Sequence, residues 1–342
     1  MFFVPLLLAA LAVAGDCTPG RVRRFPMGLA DTRSGVAYVA SDAGYVDALG
    51  LRDGKRIWES TEKAKPLALY TDNLVAGRPG IKDNDLAIFL LDLGKGDVLK
   101  TVTISFPGGV KTAVAAFAYS LMEAQGTLRL SWTYLPSNWG GARRKLDAGV
   151  AGPAPLSGVK QIDFQAGTVK DVPGEAGSTA TDNNNSLPRH EDFKSTFDPW
   201  DVGGTVAQLA INDVGSGKQV VLKTVSSSGK AETRVLLSGP NPTPYKSEDG
   251  CYIFLLQNPP SNTQPWHVFS AGSGNQVGKI VFEPGSGLPD VIGSTAFSLL
   301  TKHTEPERET HVLQAADLVS GRLLWTYVLG SVPDHRNSKR PE

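Results

Sequence analysis

The chain has 342 residues, and its 34 Lys and Arg residues balance 34 Asp and Glu residues, giving a formal net charge of zero at pH 7. This balance excludes the basic footprint of a nucleic-acid-binding protein and the electrostatic attraction that draws a basic protein to anionic lipid. A hydrophobic content of 41%, with 37 Gly and 23 Pro, is typical of a globular protein with a sizeable core and many turns between short strands.

The N-terminus carries a short apolar run, Phe2–Ala14, which ends in the small-residue pattern Ala12-Val13-Ala14. The run is shorter than the roughly 20 residues that span a bilayer, and it predicts a signal peptide over residues 1–14. A buried N-terminal strand is the alternative, because no Lys or Arg precedes the run. Asp16 before Cys17 argues against a lipid anchor, so we expect an extracytoplasmic protein that is periplasmic, secreted or in a secretory-pathway lumen.

Two cysteines, Cys17 and Cys251, are the chain's only thiols. In an exported chain they could pair and tie the N-terminal arm to a predicted strand at Tyr252–Leu256. Two unpaired residues, one of them buried, are an equally weighted alternative.

A strand–turn–strand unit appears first in Gly35–Ser60 and predicts strands at Val36–Ala40, at Tyr45–Leu49 and up to Trp58. Thr310–Gly330 repeats the last part of this unit, with Ser320-Gly321 in the place of Asp53-Gly54 and Trp325 in the place of Trp58. Weaker copies lie at Leu86–Phe106, Val159–Val172, Val206–Val225 and Trp266–Phe282.

The turn glycines of the six units are residues 54, 96, 167, 217, 274 and 321, at spacings of 42, 71, 50, 57 and 47. Most spacings are close to the ~40–50 residues of a four-stranded propeller blade. The gap of 71 contains an alternating strand, Thr127–Tyr134, and long loops are expected near 136–158 and 173–199. Lys111–Met122 is a weak helix candidate that fits a strand equally well.

These patterns predict an all-β protein: a β-propeller of four-stranded blades, seven by preference with six or eight as alternatives. A single domain would span residues 15–335, followed by a polar tail at 336–342. Because sheet edges must be covered, we expect Arg21–Phe25 to complete the last blade beside Arg322–Val328.

The unit resembles the PQQ-like (quinoprotein-type) propeller repeat, A-L-D-x-x-[TS]-G-x-x-x-W. Ala315–Trp325 matches it best, and Ala48–Trp58 matches next, with Gly50 in place of the Asp. The resemblance implies that Trp58 and Trp325, with turn residues Gly54 and Gly321, are structural residues that dock one blade onto the next.

Quinone-dependent enzymes of this fold use calcium, PQQ and a disulfide between adjacent cysteines, and this chain has no adjacent cysteines. We therefore expect no cofactor, neither PQQ nor calcium. The chain is more similar to the non-catalytic, exported BamB-like members, which dock protein partners through loops on one face.

Two groups of residues are candidates for sites. His303, Glu305 and His311 alternate along one segment and could converge on a metal, although a solvated hairpin is the stronger interpretation. Tyr134, Trp139, Arg143 and Arg144 surround one long loop, and aromatic and Arg side chains dominate protein–protein hot spots; Tyr134 and Trp139 could equally be strand core residues.

No catalytic motif stands out. The first functional hypothesis is an exported, non-enzymatic scaffold for a protein partner, possessing no transmembrane segment and monomeric outside its complex. The alternative is an oxidoreductase-type propeller that binds a small molecule or quinone at the central channel.

Overall fold

Each described strand pairs with strands that are its neighbours in sequence. The computed structural model describes residues 22–25, 28–114, 117–124, 127–135, 155–173, 197–247, 249–256, 264–305 and 308–333. Within these ranges the chain forms six antiparallel sheets, the first of five strands and the others of four.

The first three sheets take the chain from Val22 to Asp171. Their strands are β1 (Val22–Phe25), β2 (Gly28–Asp31), β3 (Val36–Ala40), β4 (Tyr45–Gly50) and β5 (Arg56–Lys63) in the first sheet; β6 (Lys65–Tyr70), β7 (Asn73–Pro79), β8 (Asp85–Asp92) and β9 (Val98–Ser105) in the second; and β10 (Phe117–Ala124), β11 (Thr127–Tyr134), β12 (Leu156–Asp163) and β13 (Thr168–Asp171) in the third.

The remaining three sheets take it to Pro333. Their strands are β14 (Trp200–Val202), β15 (Thr205–Val214), β16 (Gly217–Val225) and β17 (Ala231–Gly239) in the fourth sheet; β18 (Thr243–Lys246), β19 (Tyr252–Leu256), β20 (Gln264–Ser270) and β21 (Gln276–Phe282) in the fifth; and β22 (Asp290–Ile292), β23 (Thr295–Glu305), β24 (Arg308–Asp317) and β25 (Leu323–Pro333) in the sixth.

Consecutive four-stranded meanders are the blades of a β-propeller, so the predicted fold class is confirmed. The six sheets of the described residues lie inside the predicted range of six to eight, whereas seven was preferred. The gap of 71 between turn glycines contains β9 of the second sheet and the first three strands of the third sheet, with residues 136–154 between β11 and β12. None of the described residues forms a helix of the length and apolar character needed to cross a bilayer.

The chain divides into two compact units. The first contains residues 1–20, 190–300 and 314–325, and the second contains 21–189, 301–313 and 326–342. The fourth and fifth sheets therefore belong to the first unit, and the first three sheets belong to the second.

The core of the second unit lies between neighbouring sheets, and β8 shows why. All its residues from Asp85 to Leu91 are buried. Leu86, Ile88 and Leu90 face a cluster shared with the third sheet, while the alternate residues Ala87, Phe89 and Leu91 face a cluster shared with the first sheet. A strand with apolar residues on both faces is expected where a sheet is sandwiched between two others. The first unit has its own clusters, one around Leu209 and Ile253 and another around Trp266 and Phe282.

The strand Arg21–Phe25 was predicted to complete the last blade, and this prediction is wrong. Val22–Phe25 forms β1, which pairs antiparallel with β2 from Val22 opposite Asp31 to Phe25 opposite Gly28. A hairpin with the next strand closes a much shorter loop than a pairing with the far end of the chain, so its entropic cost is smaller. Arg24 of β1 also donates to the Leu121 carbonyl of β10, at 3.0 Å.

The loop boundaries also differ from the prediction. Residues 136–154 and 174–196 lie outside the described residues, but Leu156, Ser157 and Gly158, which were assigned to the first loop, begin β12. Within the segment Lys111–Met122, residues 112–114 form a turn and β10 begins at Phe117, so the strand interpretation holds for its second half.

Candidate functional site

One end of the second and third sheets combines exposed aliphatic side chains with a buried aromatic cluster, and both belong to the second unit. The end is defined by strand register. Asp85 at the start of β8 lies opposite Ser105 at the end of β9, and in the next sheet Phe117, Tyr134 and Leu156 lie opposite one another in turn.

The connections at this end are fixed to one another by hydrogen bonds. Phe106 donates its N–H to the Asn84 carbonyl at 2.9 Å, and the Asn84 side chain donates back to the Phe106 carbonyl at 2.7 Å. The buried hydroxyl of Thr112 donates to the Asp85 carbonyl at 2.6 Å. The β7–β8 loop and the β9–β10 connection are therefore held together as one surface.

Four aliphatic residues are exposed on this surface, and we call them the aliphatic patch. Ile81 in the β7–β8 loop has a relative exposure of 104%, and Val114, Leu135 and Leu156 have exposures of 40%, 37% and 39%. Val114 lies just before β10, where its carbonyl accepts the Phe117 N–H at 3.0 Å, and Leu135 directly follows β11. Aliphatic side chains gathered at one end of a sheet pair are typical of an interaction surface.

The aromatic cluster lies at the same end of the sheets, in their shared core. Phe106 contacts Phe117 edge-on at 4.9 Å between ring centroids and Trp132 edge-on at 5.1 Å, and Phe117 contacts Tyr119 at 5.5 Å. Burial raises the pKa of Tyr119 to about 12, so its phenol is neutral at physiological pH. Such interlocked rings give the end of these sheets a rigid base.

A buried cation borders the aromatic cluster. The Lys160 ammonium lies 2.7 Å from Oδ1 of Asp171 on the neighbouring strand and 5.7 Å from the Phe106 ring centroid. The Lys160 side chain is 8% exposed, whereas that of Asp171 is 80% exposed, so the ammonium reaches from the core to a carboxylate at the surface and also contacts the ring face. Lys160 therefore stabilises the junction of β12 and β13.

Tyr134 does not belong to an exposed patch, contrary to its selection as a partner-binding candidate. Burial alternates along β11, and Trp132 and Tyr134 are only 6% exposed on its core face. Both are core residues, which was the alternative interpretation. Trp139, Arg143 and Arg144 lie outside the described residues, in the segment that joins Leu135 to β12.

The metal hypothesis rests on residues that are only partly described. The side chains of His303 and Glu305 lie outside the described residues. His311 is half-buried, and its Nδ1 lies 3.2 Å from the Thr301 hydroxyl. Across the ranges that the structure covers, no three His, Cys, Asp or Glu side chains are grouped to hold a metal ion.

Trp58 joins the first sheet to the second. Its Nε1 donates to the Leu93 carbonyl of the second sheet at 2.8 Å, and its ring lies so close to Gly96 that a Cβ there would overlap with it. Gly96 also has a positive φ of 76°, so both the nearby ring and the backbone conformation favour glycine at this position. Trp325 contacts Phe297 within its own sheet, at 5.8 Å between centroids, and is only half-buried.

Cys251 is buried and disulfide-bonded. Its predicted partner, Cys17, lies outside the described residues.

A buried carboxylate, Asp47 of β4, was not predicted from the sequence. It is 1% exposed; Tyr327 of β25 donates its hydroxyl to Oδ2, and Oδ1 lies 3.8 Å from Arg56 Nη1. Burial raises the pKa of Asp47, although the Tyr327 hydrogen bond and the Arg56 charge oppose the rise. The tyrosine pKa is raised as well, by burial and by the carboxylate. Asp47 and Tyr327 both belong to the second unit, where they fasten β25 to β4.

A shallow depression of about 300 Å³ lies in the first unit, between the tip of the β15–β16 hairpin and the end of β17. Its walls are formed by Val214, Lys218, Pro240 and small polar residues, with Lys218 as the charged member. It has no convergent acid–base pair, so the end of the second and third sheets is the better candidate site.

No protein-family model and no curated protein matches this chain. Among solved structures, TolB from Acinetobacter baumannii is 15% identical with a TM-score of 0.31, the alignment covering 88% of this chain and 63% of TolB, so the chain spans less than two thirds of that protein. BamB from Moraxella catarrhalis is 12% identical with a TM-score of 0.27, covering 94% of this chain and 90% of BamB. A puromycin-hydrolyzing peptidase from Mycobacterium tuberculosis is 12% identical with a TM-score of 0.32, covering 93% and 54%. At this level of similarity, neither activity nor partner is carried over from any of them.

Proposed function

We propose that this protein is an exported β-propeller that acts as an interaction scaffold, presenting one end of its second and third sheets to a protein partner. The aliphatic patch is the observation that carries the proposal. Ile81 is fully exposed on a loop that hydrogen bonds hold in place, and exposed apolar side chains at a rigid surface favour association.

The surroundings of the patch suit a protein partner. Lys82, Asp83 and Lys111 are exposed beside Ile81 and Val114, so the apolar residues have a polar, charged rim. Protein interfaces typically have this arrangement of apolar centre and polar rim.

Two further parts of the proposal concern family and location. The docking of Trp58 against Leu93 and Gly96 supports a PQQ-like repeat, since that repeat assigns its Trp to contacts between blades. The disulfide of Cys251 supports an oxidising, extracytoplasmic compartment, as does the apolar run at residues 2–14.

The test is a crosslinking pull-down of the full chain from native envelope or secretory material. The doubly substituted variant Ile81→Ser with Leu135→Ser removes two members of the aliphatic patch. The matched control, Val235→Ser with Val319→Ser, removes two valines of the first unit that are 55% and 66% exposed. All proteins are first compared by thermal melting, so that a loss of binding is not a loss of fold.

We expect one stoichiometric partner that the wild type and the control capture and the patch variant loses. Capture by the patch variant at the wild-type level would move the interface elsewhere. Recovery of no specific partner would end the scaffold proposal. Trp139→Ala with Arg143→Ala then tests whether the β11–β12 connection belongs to the same interface.

A further inference from the structure

Asp47 lies on the face of β4 opposite to the second sheet. Its neighbours Val46 and Ala48 belong to the core cluster that the first two sheets share, and alternate residues of a strand point to opposite faces. The Asp47 side chain is 1% exposed, so this face of β4 holds a carboxyl group that is shielded from water. A carboxylate in such a position is costly unless partners satisfy both of its oxygens.

Only one of the two oxygens of Asp47 is satisfied. Tyr327 donates its hydroxyl to Oδ2, whereas Oδ1 is buried and has no hydrogen-bond partner among the described residues. Nη1 of Arg56 lies 3.8 Å from Oδ1, which is too long for a hydrogen bond. The same nitrogen donates instead to Oε2 of Glu59, at 2.8 Å. Asp47 therefore has a buried oxygen that lacks a donor.

Glu59 is the group that can complete the site. It lies directly opposite Asp47 in the pairing of β4 with β5, and directly opposite residues of an antiparallel pair have Cβ atoms about 4.5–5.5 Å apart. Two carboxylates so close repel each other, and the single charge of Arg56 does not neutralise both. With a proton on Oδ1, Asp47 becomes a donor to the Glu59 carboxylate, both of its oxygens are satisfied, and the group has no net charge.

The groups that act on the Asp47 carboxyl come from two strands. They are Arg56 and Glu59 of β5 and Tyr327 of β25; on the side of β3, the residue opposite Asp47 is Val39. Burial raises the pKa of Asp47 and the Glu59 carboxyl raises it further, while the Tyr327 hydrogen bond and the Arg56 charge lower it. The net rise in pKa agrees with the proton that the geometry requires.

We propose that Asp47 and Glu59 share one proton, and that this proton operates a clasp which holds the end of β25 on the first sheet. We call Asp47, Glu59, Arg56 and Tyr327 the carboxyl clasp. While the proton is present, Asp47 donates to Glu59 and accepts from Tyr327. When the proton leaves to solvent water through the partly exposed Glu59, Oδ1 becomes a buried charge beside a second carboxylate, and the clasp loosens. This inference does not depend on the scaffold function.

The clasp is closed in acid and loosens as the pH rises. A carboxyl whose pKa is raised in the closed form favours that form fully below its ordinary pKa of 3.8, and this contribution is lost as the pH rises through the raised value. The residues expected to respond are 326–333, the part of β25 that belongs to the second unit.

Hydrogen exchange of the full wild-type chain tests the clasp, with rates measured from about pH 4 to pH 8 and corrected for the intrinsic effect of pH. We expect the protection of residues 326–333 to fall at least about tenfold as the pH rises, which corresponds to a difference of one pKa unit between the closed and open forms. The last strand of the second sheet, β9, is the internal control and should keep its protection. Protection of residues 326–333 that is independent of pH, or that falls together with that of β9, would overturn the proposal.

Asp47→Asn is the central variant. Its amide can donate to Glu59 and accept from Tyr327 with no proton to lose, so the protection of β25 should stay constant with pH. Glu59→Gln removes the neighbouring negative charge and should move the transition to lower pH. Glu62→Gln is its matched control, because Glu62 lies on the same strand, is 43% exposed against 42% for Glu59, and pairs with Arg78. A transition that persists in Asp47→Asn, or that moves equally in both glutamate variants, would contradict the clasp.

A titration of the unaltered protein covers the case in which Asp47→Asn does not fold. Carbon-13 NMR of the chain labelled at its aspartate carboxyl carbons follows each aspartate as the pH changes. One aspartate should titrate above the usual pKa of 3.8, at the pH where the protection of residues 326–333 falls. The proposal is overturned if every aspartate titrates at or below its usual pKa, or if the raised one titrates apart from the change in protection.

Discussion

At the scale of single residues, turn chemistry is the main device that repeats along the chain. Asp92, Asp163 and Asp317 each lie four positions before a turn glycine, and each accepts backbone N–H groups of its own turn through Oδ1. Of the two units matched to the repeat motif, only Ala315–Trp325 has the motif's Asp, which is Asp317. Asp92 and Asp163 belong to weaker copies, so their role in the turn was not recognised from the sequence. A carboxylate that fixes a turn in this way stabilises the hairpin before any core packing forms.

Asp317→Asn should destabilise the protein by roughly 1 kcal/mol, because it weakens charge-assisted hydrogen bonds in the turn. The Ser320 hydrogen bonds lower the pKa of Asp317 below its usual 3.8. The stability that its charge contributes is therefore present above pH 3.8 and lost as the pH falls through the lowered pKa. Chemical denaturation at several pH values should show the variant's deficit shrinking in acid. A deficit that is constant with pH would contradict this account.

Trp58→Phe keeps an aromatic ring against Gly96 but removes the N–H that bonds to Leu93. We expect a loss of about 1 kcal/mol in the free energy of unfolding from the unsatisfied carbonyl. Trp58→Ala also loses the packing and should cost about 3–5 kcal/mol. Equal losses for both variants, measured by urea denaturation, would show that the hydrogen bond and not the ring determines the contact.

At the scale of elements, hairpins were predicted well and long-range placement was not. The strands Val36–Ala40 and Tyr45–Leu49 match β3 and β4 closely, because alternation and turn residues are local signals. In the fourth unit the glycine chosen from the sequence, Gly217, begins β16 directly after the β15–β16 turn, whereas the turn equivalent to those of the other units has Gly229. Two successive Gly-containing turns look alike in sequence, and only the pairing of the strands distinguishes them.

The sequence of a strand also does not show which of its two faces is buried. Period-two alternation places Trp132 and Tyr134 on the same face of β11, but it does not say which face meets the neighbouring sheet. The aliphatic patch escaped notice for a related reason. Ile81, Val114 and Leu135 come from three different connections, and only the register of the second and third sheets brings them to one end.

Gly321→Ala should be among the most damaging single substitutions in the first unit. The added Cβ would overlap with the Lys279 carbonyl oxygen, and the φ of 70° is itself unfavourable for alanine. Gly35→Ala is the control, since Gly35 has a φ of 68° but no atom within 4 Å of the added Cβ. We expect the control to cost about 1–2 kcal/mol from backbone strain alone, and Gly321→Ala to cost clearly more. Similar melting temperatures for the two variants would show that the backbone at Gly321 relaxes freely.

At the scale of the whole molecule, the sequence predicted the architecture of repeated blades but not the contact that joins distant parts of the second unit. Asp47 and Tyr327 are 280 positions apart, and neither stands in a motif that names the other. The sequence shows Asp47 as a single acidic residue among apolar neighbours, which resembles a solvated position. Its burial follows from the packing of β4 and β25. Patterns in the local sequence do not reveal a contact between strands so far apart in the chain.

Tyr327→Phe removes the hydroxyl that donates to Asp47 and leaves the buried carboxylate with one hydrogen bond fewer to stabilise its charge. The free energy of unfolding at neutral pH should fall by about 1–3 kcal/mol, and the pKa of Asp47 should rise further. Because a carboxyl with a raised pKa favours the folded state only while it is protonated, the deficit should shrink as the pH falls below that pKa. The same substitution in an Asp47→Asn background is the control, and an equal deficit there would show that the two groups are not coupled.

Thermal melting with and without PQQ plus calcium separates the scaffold from the alternative of a quinone-binding enzyme. Binding to the folded state raises the melting temperature in proportion to RT ln(1 + [L]/Kd), so a cofactor at saturating concentration gives a shift of several degrees. We expect no shift. A large shift that requires both PQQ and calcium would replace the scaffold with an enzyme.

The pairing of β1 with β2 has a consequence for the order in which the fold can form. Each described sheet consists of strands that are consecutive in the chain, from β1–β5 through β22–β25. A sheet of this kind does not depend on a strand from the opposite terminus, so its hydrogen bonds can form as soon as its own segment is available. Low contact order within each sheet favours fast hairpin formation. The strands of each described sheet can therefore pair in sequence as the chain emerges during synthesis, before the rest of the chain is available.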